Sequence, residues 1–215
     1  MGNGNFVADK KRFDADAVNW DAKPHRAALI RAVARALGEQ IEALPSAPDL
    51  FDYGCGTGSA VLPMAGICKT LTGCDFSEGM RREFMRNAEA AGITNALVVD
   101  LDLTTDQPLP PERYDLVHCG LVLHHIADVP AMFGRFKELL RPNGSLSIAD
   151  LETEDGSFHE DNSGVAHQGF DSAALCRQLE HMGFGKVSAR RIHVVEKQRD
   201  GGPRHYPVFH ISATL

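Results

Sequence analysis

No apolar run in the sequence approaches the roughly 20 residues that carry a helix across a bilayer. The opening MGNGNFVADKKRFD has no apolar stretch of the secretory kind. Positive charge is in deficit, with 22 Lys and Arg against 29 Asp and Glu and a net charge of −7. That balance argues against a nucleic-acid partner, because binding a phosphate backbone needs clustered Lys and Arg. The five cysteines (Cys55, Cys68, Cys74, Cys119 and Cys176) are odd in number and contain no C-x-x-C pair, which speaks against a zinc ribbon or a dithiol redox centre. Several sit in apolar runs, where a thiol behaves as a small hydrophobe. These absences lead to the expectation of a cytoplasmic protein with neither a membrane nor a nucleic-acid partner. Internal repeats and low-complexity linkers are also missing, so the 215 residues are read as one domain with a substantial core.

Within that domain the pattern changes along the chain. Residues 1–13 are polar, rich in Gly and Asn, and expected to be mobile. A short helix is expected near Ala15–Trp20. Leu29, Ile30, Val33, Ala36, Leu37, Ile41 and Leu44 then recur at helical spacing, with Pro24 suited to the first turn and Pro45 and Pro48 closing the helix. From residue 49, strands alternate with helices. Strands are predicted at 49–53, 69–75, 95–101, 114–120 and 145–151. Helices are predicted at about 59–65, 78–90, 129–140 and 171–182. Two alternating segments, 186–195 and 205–215, look like a terminal hairpin. The whole predicts an α/β fold with a mostly parallel, doubly wound sheet and helices on both faces: an N-terminal helical segment to residue 48, a ligand-binding core over 49–151, and a lid with C-terminal strands over 152–215.

The strongest local signal is Asp52-Tyr53-Gly54-Cys55-Gly56-Thr57-Gly58, placed between the first strand and a predicted helix. Alternating glycines remove Cβ atoms where a ligand lies against backbone, and a helix N-terminus behind them would offer free N–H groups. The spacing separates two cofactor classes. A dinucleotide fingerprint that starts at Gly54 needs Gly or Ala as its sixth residue, and Ser59 stands there. A P-loop needs a lysine, which this loop lacks. Asp75 ends the second strand 21 residues after Gly54, where an acid can accept hydrogen bonds from both hydroxyls of a ribose. Phe76 either covers an adenine face or belongs to the core. In Asp100-Leu101-Asp102-Leu103, Asp102 is the favoured acceptor for an adenine amino group, with Leu101 completing the strand; Asp100 is the alternative.

Taken in order, LFDYGCGTG, TGCDFS, DLDL, YDLVHCGLVLHHI and LRPNGSLSIAD resemble the motifs of class I S-adenosylmethionine-dependent methyltransferases. The likeness is greatest to the small ubiquinone/menaquinone-biosynthesis branch, the type 11-like methyltransferases. It spans about residues 49–151. It implies a seven-stranded Rossmann-like sheet whose last strand is antiparallel, with S-adenosylmethionine as cofactor. By the same resemblance Gly54, Cys55, Gly56 and Gly58 flank the methionine part of the cofactor. Asp75 holds the ribose, Asp102 and Leu103 read the adenine, and Cys119 and Gly120 line the floor below the sulfonium. Asp52 orders the glycine loop and reaches the cofactor's amino group through water.

Methyl transfer from a sulfonium is an in-line displacement with a good leaving group, so alignment is the main demand. A base is needed only where the nucleophile keeps its proton at neutral pH. His124 and His125 follow the fourth strand, one expected to face the pocket and one to pack outward. His124 is the candidate base, with a purely structural role as the alternative. The segment Asp150–Asp161 carries six acids, Phe158 and His159, with His167 behind; it is either a lid over the substrate or a solvated loop. Its spacing fits no standard metal site, so no metal is expected. The residues after the fourth strand, Cys119-Gly120-Leu121-Val122, do not carry the motif of a DNA amino-methyltransferase. The function expected is methylation of a small-molecule acceptor. A nicotinamide-dependent oxidoreductase and a non-catalytic S-adenosylmethionine-binding protein are the alternatives.

Overall fold

The structure, a computed structural model, describes residues 13–22 and 24–215. Of residues 1–13, on which the expected mobility falls, residues 1–12 lie outside the described residues and Phe13 is helical. Phe13–Asp16 are helical and lead into a 3-10 turn over Ala17–Ala22. Helix α1 (Pro24–Glu42) buries Leu29, Val33, Ala36, Leu37 and Ile41, the stripe its spacing predicts.

Strands β1 (Asp49–Tyr53), β2 (Thr70–Cys74), β3 (Ala96–Val99), β4 (Tyr114–Gly120), β5 (Leu140–Leu151), β6 (Gly185–Arg199) and β7 (Gly202–Thr214) form one sheet in the order β3-β2-β1-β4-β5-β7-β6. The pairs from β3 to β5 are parallel, and β7 runs antiparallel to both β5 and β6. Seven strands and an antiparallel last strand agree with the sequence expectation. All five residues of β1 are buried, as a central strand covered on both faces requires. Strand alternation then sorts its neighbours. Leu50, Leu71 and Leu116 pack under α1 and helix α2 (Glu78–Ala90), while Phe51, Val117, Cys119, Leu146 and Ile148 pack under helices α3 (Val129–Leu139) and α4 (Ser172–His181). Ser77, Asp128 and Asp171 N-cap α2, α3 and α4 with their side chains.

Three elements depart from expectation. The segment after the glycine loop is not an α-helix but a series of turns ending in a 3-10 stretch, Leu62–Ile67. Pro63 at its start donates no N–H and Gly66 favours other conformations, which leaves too few helix formers for α-helical propagation. β3 ends at Val99, so Leu101 does not complete the strand; it is buried as a loop residue. β5 begins at Leu140, which pairs with Tyr114; the ladder resumes at Ser145 opposite Leu116, so the Arg-Pro-Asn-Gly stretch is a bulge inside the strand.

Candidate active site

A cavity of about 830 Å³ opens at the C-terminal ends of β1, β2 and β4, where open α/β sheets bind ligands. The glycine loop forms one wall. Gly54 and Cys55 both donate backbone N–H groups to the Cys74 carbonyl, at 2.7 and 3.0 Å. Gly56 donates to Asp75 Oδ2 at 3.0 Å. These bonds fasten the loop to the end of β2. Its glycines serve different purposes. A Cβ on Gly58 would fall 2.6 Å from Leu62 and 2.8 Å from Phe84, so Gly58 is a packing glycine. Around Gly56, at φ +54°, the nearest atoms to such a Cβ are 4.0 Å away, and the space in front of it is cavity.

Two acids stand behind this loop. Asp75 accepts from the backbone N–H groups of Gly56 and, at 2.8 Å, Ser77. Burial nevertheless raises its pKa, partly offset by those two bonds and the Arg81 charge. Asp52 is 3% exposed, and no described residue donates a hydrogen bond to its carboxyl. Burial, with the Asp75 charge as a lesser cause, pushes its pKa well above the usual carboxylate range. A pair of buried acids facing a cavity suits a ligand that brings a cation and hydroxyl donors. The loop itself is tied by Asp75 and the Cys74 carbonyl rather than by Asp52, a correction to the ordering role expected of Asp52.

Gly54, Cys55, Gly56, Asp52, Asp75, Phe76, Asp102 and Gly120 all line the cavity. Asp102 spends Oδ1 on the N–H and hydroxyl of Thr104, at 2.9 and 2.6 Å. Asp100, the alternative acceptor, is instead 65% exposed and paired with Arg81 at 2.9 Å, outside the lining. Gly58, Leu103 and Cys119 are not part of the lining. Leu103 and Cys119 are buried in the core under α3. For Cys119 the reason is strand alternation: its neighbours His118 and Gly120 point to the cavity side, where a Cβ on Gly120 would meet Val33 of α1 at 3.3 Å.

A second chemical group meets the same cavity. After β4, Leu121 adopts φ +60°, a conformation rare for leucine, and a 3-10 turn over Leu123–His125 follows. His124 is buried, and its Nδ1 donates to Asp150 Oδ1 at 2.8 Å. Asp150 also accepts the backbone N–H groups of His124 and Leu151, at 3.1 and 2.7 Å. A carboxylate so placed fixes the imidazole tautomer and leaves the lone pair on Nε2. His125 lines the cavity as well, contrary to the expectation that one of the pair would pack outward, and its Nδ1 lies 2.8 Å from the Gly164 carbonyl.

The third imidazole, His159, comes from the acidic segment. This segment is no plain solvated loop. An isolated bridge joins Glu152 to Phe170, Phe158 is buried against Tyr206, and Arg199 and Lys197 donate to the carbonyls of Ser157 and Phe158. Ala166 and His167 donate to the His124 carbonyl. The segment is thereby fastened over the cavity, and Phe158–Ala166 line it. One ring nitrogen each of His124, His125 and His159 lie within 4.8 Å of one another, a grouping that sequence spacing did not reveal. Burial, with His124 and His125 beside it, pushes the His159 pKa down to about 3. His118 was also missed. It is fully buried, with Nδ1 2.9 Å from Ser147 Oγ and Nε2 without a hydrogen-bond partner among the described residues, and burial holds it at about 3. Its place as an inward residue of β4 was the signal that could have found it.

The sheet order, the glycine loop after β1 and the acid just after β2 define the class I methyltransferase architecture. Residues 51–148 match the methyltransferase domain family, and the curated relatives that the chain resembles are methyltransferases. It is 32% identical over 139 residues to a ubiquinone biosynthesis O-methyltransferase of Rhodopseudomonas palustris, covering 63% of this chain and 53% of that one. It is 33% identical over 138 residues to an uncharacterized methyltransferase of Schizosaccharomyces pombe, covering 58% of this chain and 48% of the other. The chain thus spans about half the length of these curated relatives. Among solved structures, the DhpI–SAH complex matches over 98% of both chains, with a TM-score of 0.73 and 20% identity, a likeness of fold. No helix among the described residues is long and apolar enough to cross a membrane.

Proposed function

We propose that this protein transfers a methyl group from S-adenosylmethionine to a hydroxyl of a small molecule with an apolar body. The observation that carries the reading is that the His124–Asp150 pair opens onto the same cavity as Asp52, Asp75 and the glycine loop. The cofactor supplies a methyl group on a sulfonium, already a good leaving group. Asp52 receives its ammonium, directly or through water, and Asp75 its ribose hydroxyls. Phe76 and Asp102 meet the adenine, and Gly56 leaves room for the methionine part. Leu29, Ile30, Val33, Leu151 and Val195 give the rest of the cavity apolar walls that exclude water and seat the acceptor. His124 activates the acceptor; as a free imidazole it takes the hydroxyl proton on Nε2 while Asp150 stabilises the ring that results.

Two features weigh against the dinucleotide alternative. Ser59 stands where the fingerprint needs its last glycine, and the loop is followed by turns rather than by the α-helix whose N-terminus would hold a pyrophosphate. The five cysteines are all free thiols, which favours a reducing, cytoplasmic setting. A screen of metabolite pools for acceptor-dependent release of S-adenosylhomocysteine tests the proposal. Hydroxyl-bearing acceptors should stimulate release. Binding of the cofactor with no turnover on any pool would instead support a non-catalytic binding protein.

A further inference from the structure

We propose that His124, His125 and His159 together hold a divalent transition-metal ion of the zinc class, with its open position toward the acceptor. The inference rests on the methyl-transfer reading and deepens it, because it assigns the ion to the activation step placed at His124.

The geometry carries the proposal. Three imidazoles sharing one tetrahedral ion at about 2.0–2.1 Å have ring centroids about 5 Å apart. Here the centroids are 4.2, 5.1 and 6.0 Å apart, and one nitrogen of each ring lies within 4.8 Å of the others. Small side-chain rotations close that spacing. Histidine ligands of metals characteristically give their other ring nitrogen to a carboxylate or a carbonyl, which fixes the tautomer. Two of the three do so: His124 Nδ1 to Asp150 at 2.8 Å and His125 Nδ1 to the Gly164 carbonyl at 2.8 Å. The third ring, His159, has a buried Nδ1 with no hydrogen-bond partner among the described residues, so one polar atom of the cluster is left unsatisfied. Three protein ligands and an open position are the pattern of catalytic rather than structural zinc. The carboxylates of Glu160 and Asp161 on the same wall offset the charge of Lys197, which also lines the cavity.

The ion would act as a Lewis acid on the acceptor oxygen. The hydroxyl proton leaves to solvent, the oxygen's electron pair forms the bond to the methyl carbon, and the carbon–sulfur pair stays on sulfur. With the ion in place His124 is a ligand, and Asp150 positions it.

The test uses the full chain stripped with chelator and titrated with Zn²⁺ by calorimetry and with Co²⁺ by visible absorption. The expected result is one ion per chain at micromolar affinity or tighter, with the cobalt bands of a four- or five-coordinate site. His159→Gln and His125→Gln should each weaken binding by at least about 100-fold, the upper end of what losing an outer-shell partner costs. S-adenosylhomocysteine affinity should be unchanged in both variants. Millimolar binding, an octahedral cobalt spectrum, or equal affinity in wild type and variants overturns the inference. The cobalt spectrum of the wild type decides the matter even if a variant folds poorly. Normal S-adenosylhomocysteine binding without metal binding defeats the ion alone and leaves His124 a free imidazole. Failure to bind S-adenosylhomocysteine defeats the methyl-transfer reading itself.

Discussion

Asp75 and His124 line one cavity but are held there in different ways. Asp75 directly follows β2, and the donors to its carboxylate, Gly56 and Ser77, come from the two loops beside that strand. His124 depends on Asp150, 26 residues further along, and its neighbours come from the segment 158–166. The first wall is fixed by the ends of two adjacent parallel strands. The second exists only after β5 and the fastened segment have docked. The glycine-loop wall should therefore respond to substitution locally, while the histidine wall responds as a unit.

The comparison breaks most sharply at the glycines. Gly56→Val should remove measurable S-adenosylhomocysteine binding, because a branched side chain at φ +54° would fill the cavity and strain the loop. Gly58→Ala should instead lower the melting temperature, with a cost of about 1–3 kcal/mol from overpacking against Leu62 and Phe84. Calorimetry and thermal melting on the two variants separate a ligand-facing glycine from a packing one.

On the other wall, His124→Asn should cut turnover by about 10²–10⁴-fold while cofactor affinity stays the same. A lower melting temperature with little change in turnover would make His124 structural. Asp75→Ala should weaken S-adenosylhomocysteine binding by about 1.5–3 kcal/mol, the range for hydrogen bonds to a charged group. Unchanged affinity would place the ribose elsewhere.

A last effect, on stability alone, is an acid slope. Burial holds His118 at about 3 against its ordinary 6.5, so between those values the unfolded chain carries a proton that the folded chain refuses. Its contribution is complete above the upper value and is lost as pH falls through the window, at about 1.4 kcal/mol per pH unit. His118→Gln should reduce by one the number of protons taken up on acid unfolding, read from stability measured across that range.

These two walls also explain what could be read from the chain. Asp52, Gly54, Gly56 and Asp75 are legible because each stands at a strand end whose position follows from alternating hydrophobic and turn residues. Cys119 misled because a one-residue step on a strand changes its face, and the strand's end alone does not say which face looks at the cavity. The α-helix expected after the glycine loop failed at Pro63 and Gly66, where local chemistry outweighed the usual alternation. The histidine cluster was illegible as a group. His159 lies 34 residues beyond His125, and the bonds that fasten its segment to β6 and to the His124 carbonyl bring the rings together.

Calorimetry with S-adenosylhomocysteine shows whether the cavity is built for S-adenosylmethionine. One S-adenosylhomocysteine per chain should bind, and NAD should give no heat at the same concentration. NAD binding with no response to S-adenosylhomocysteine would contradict the account.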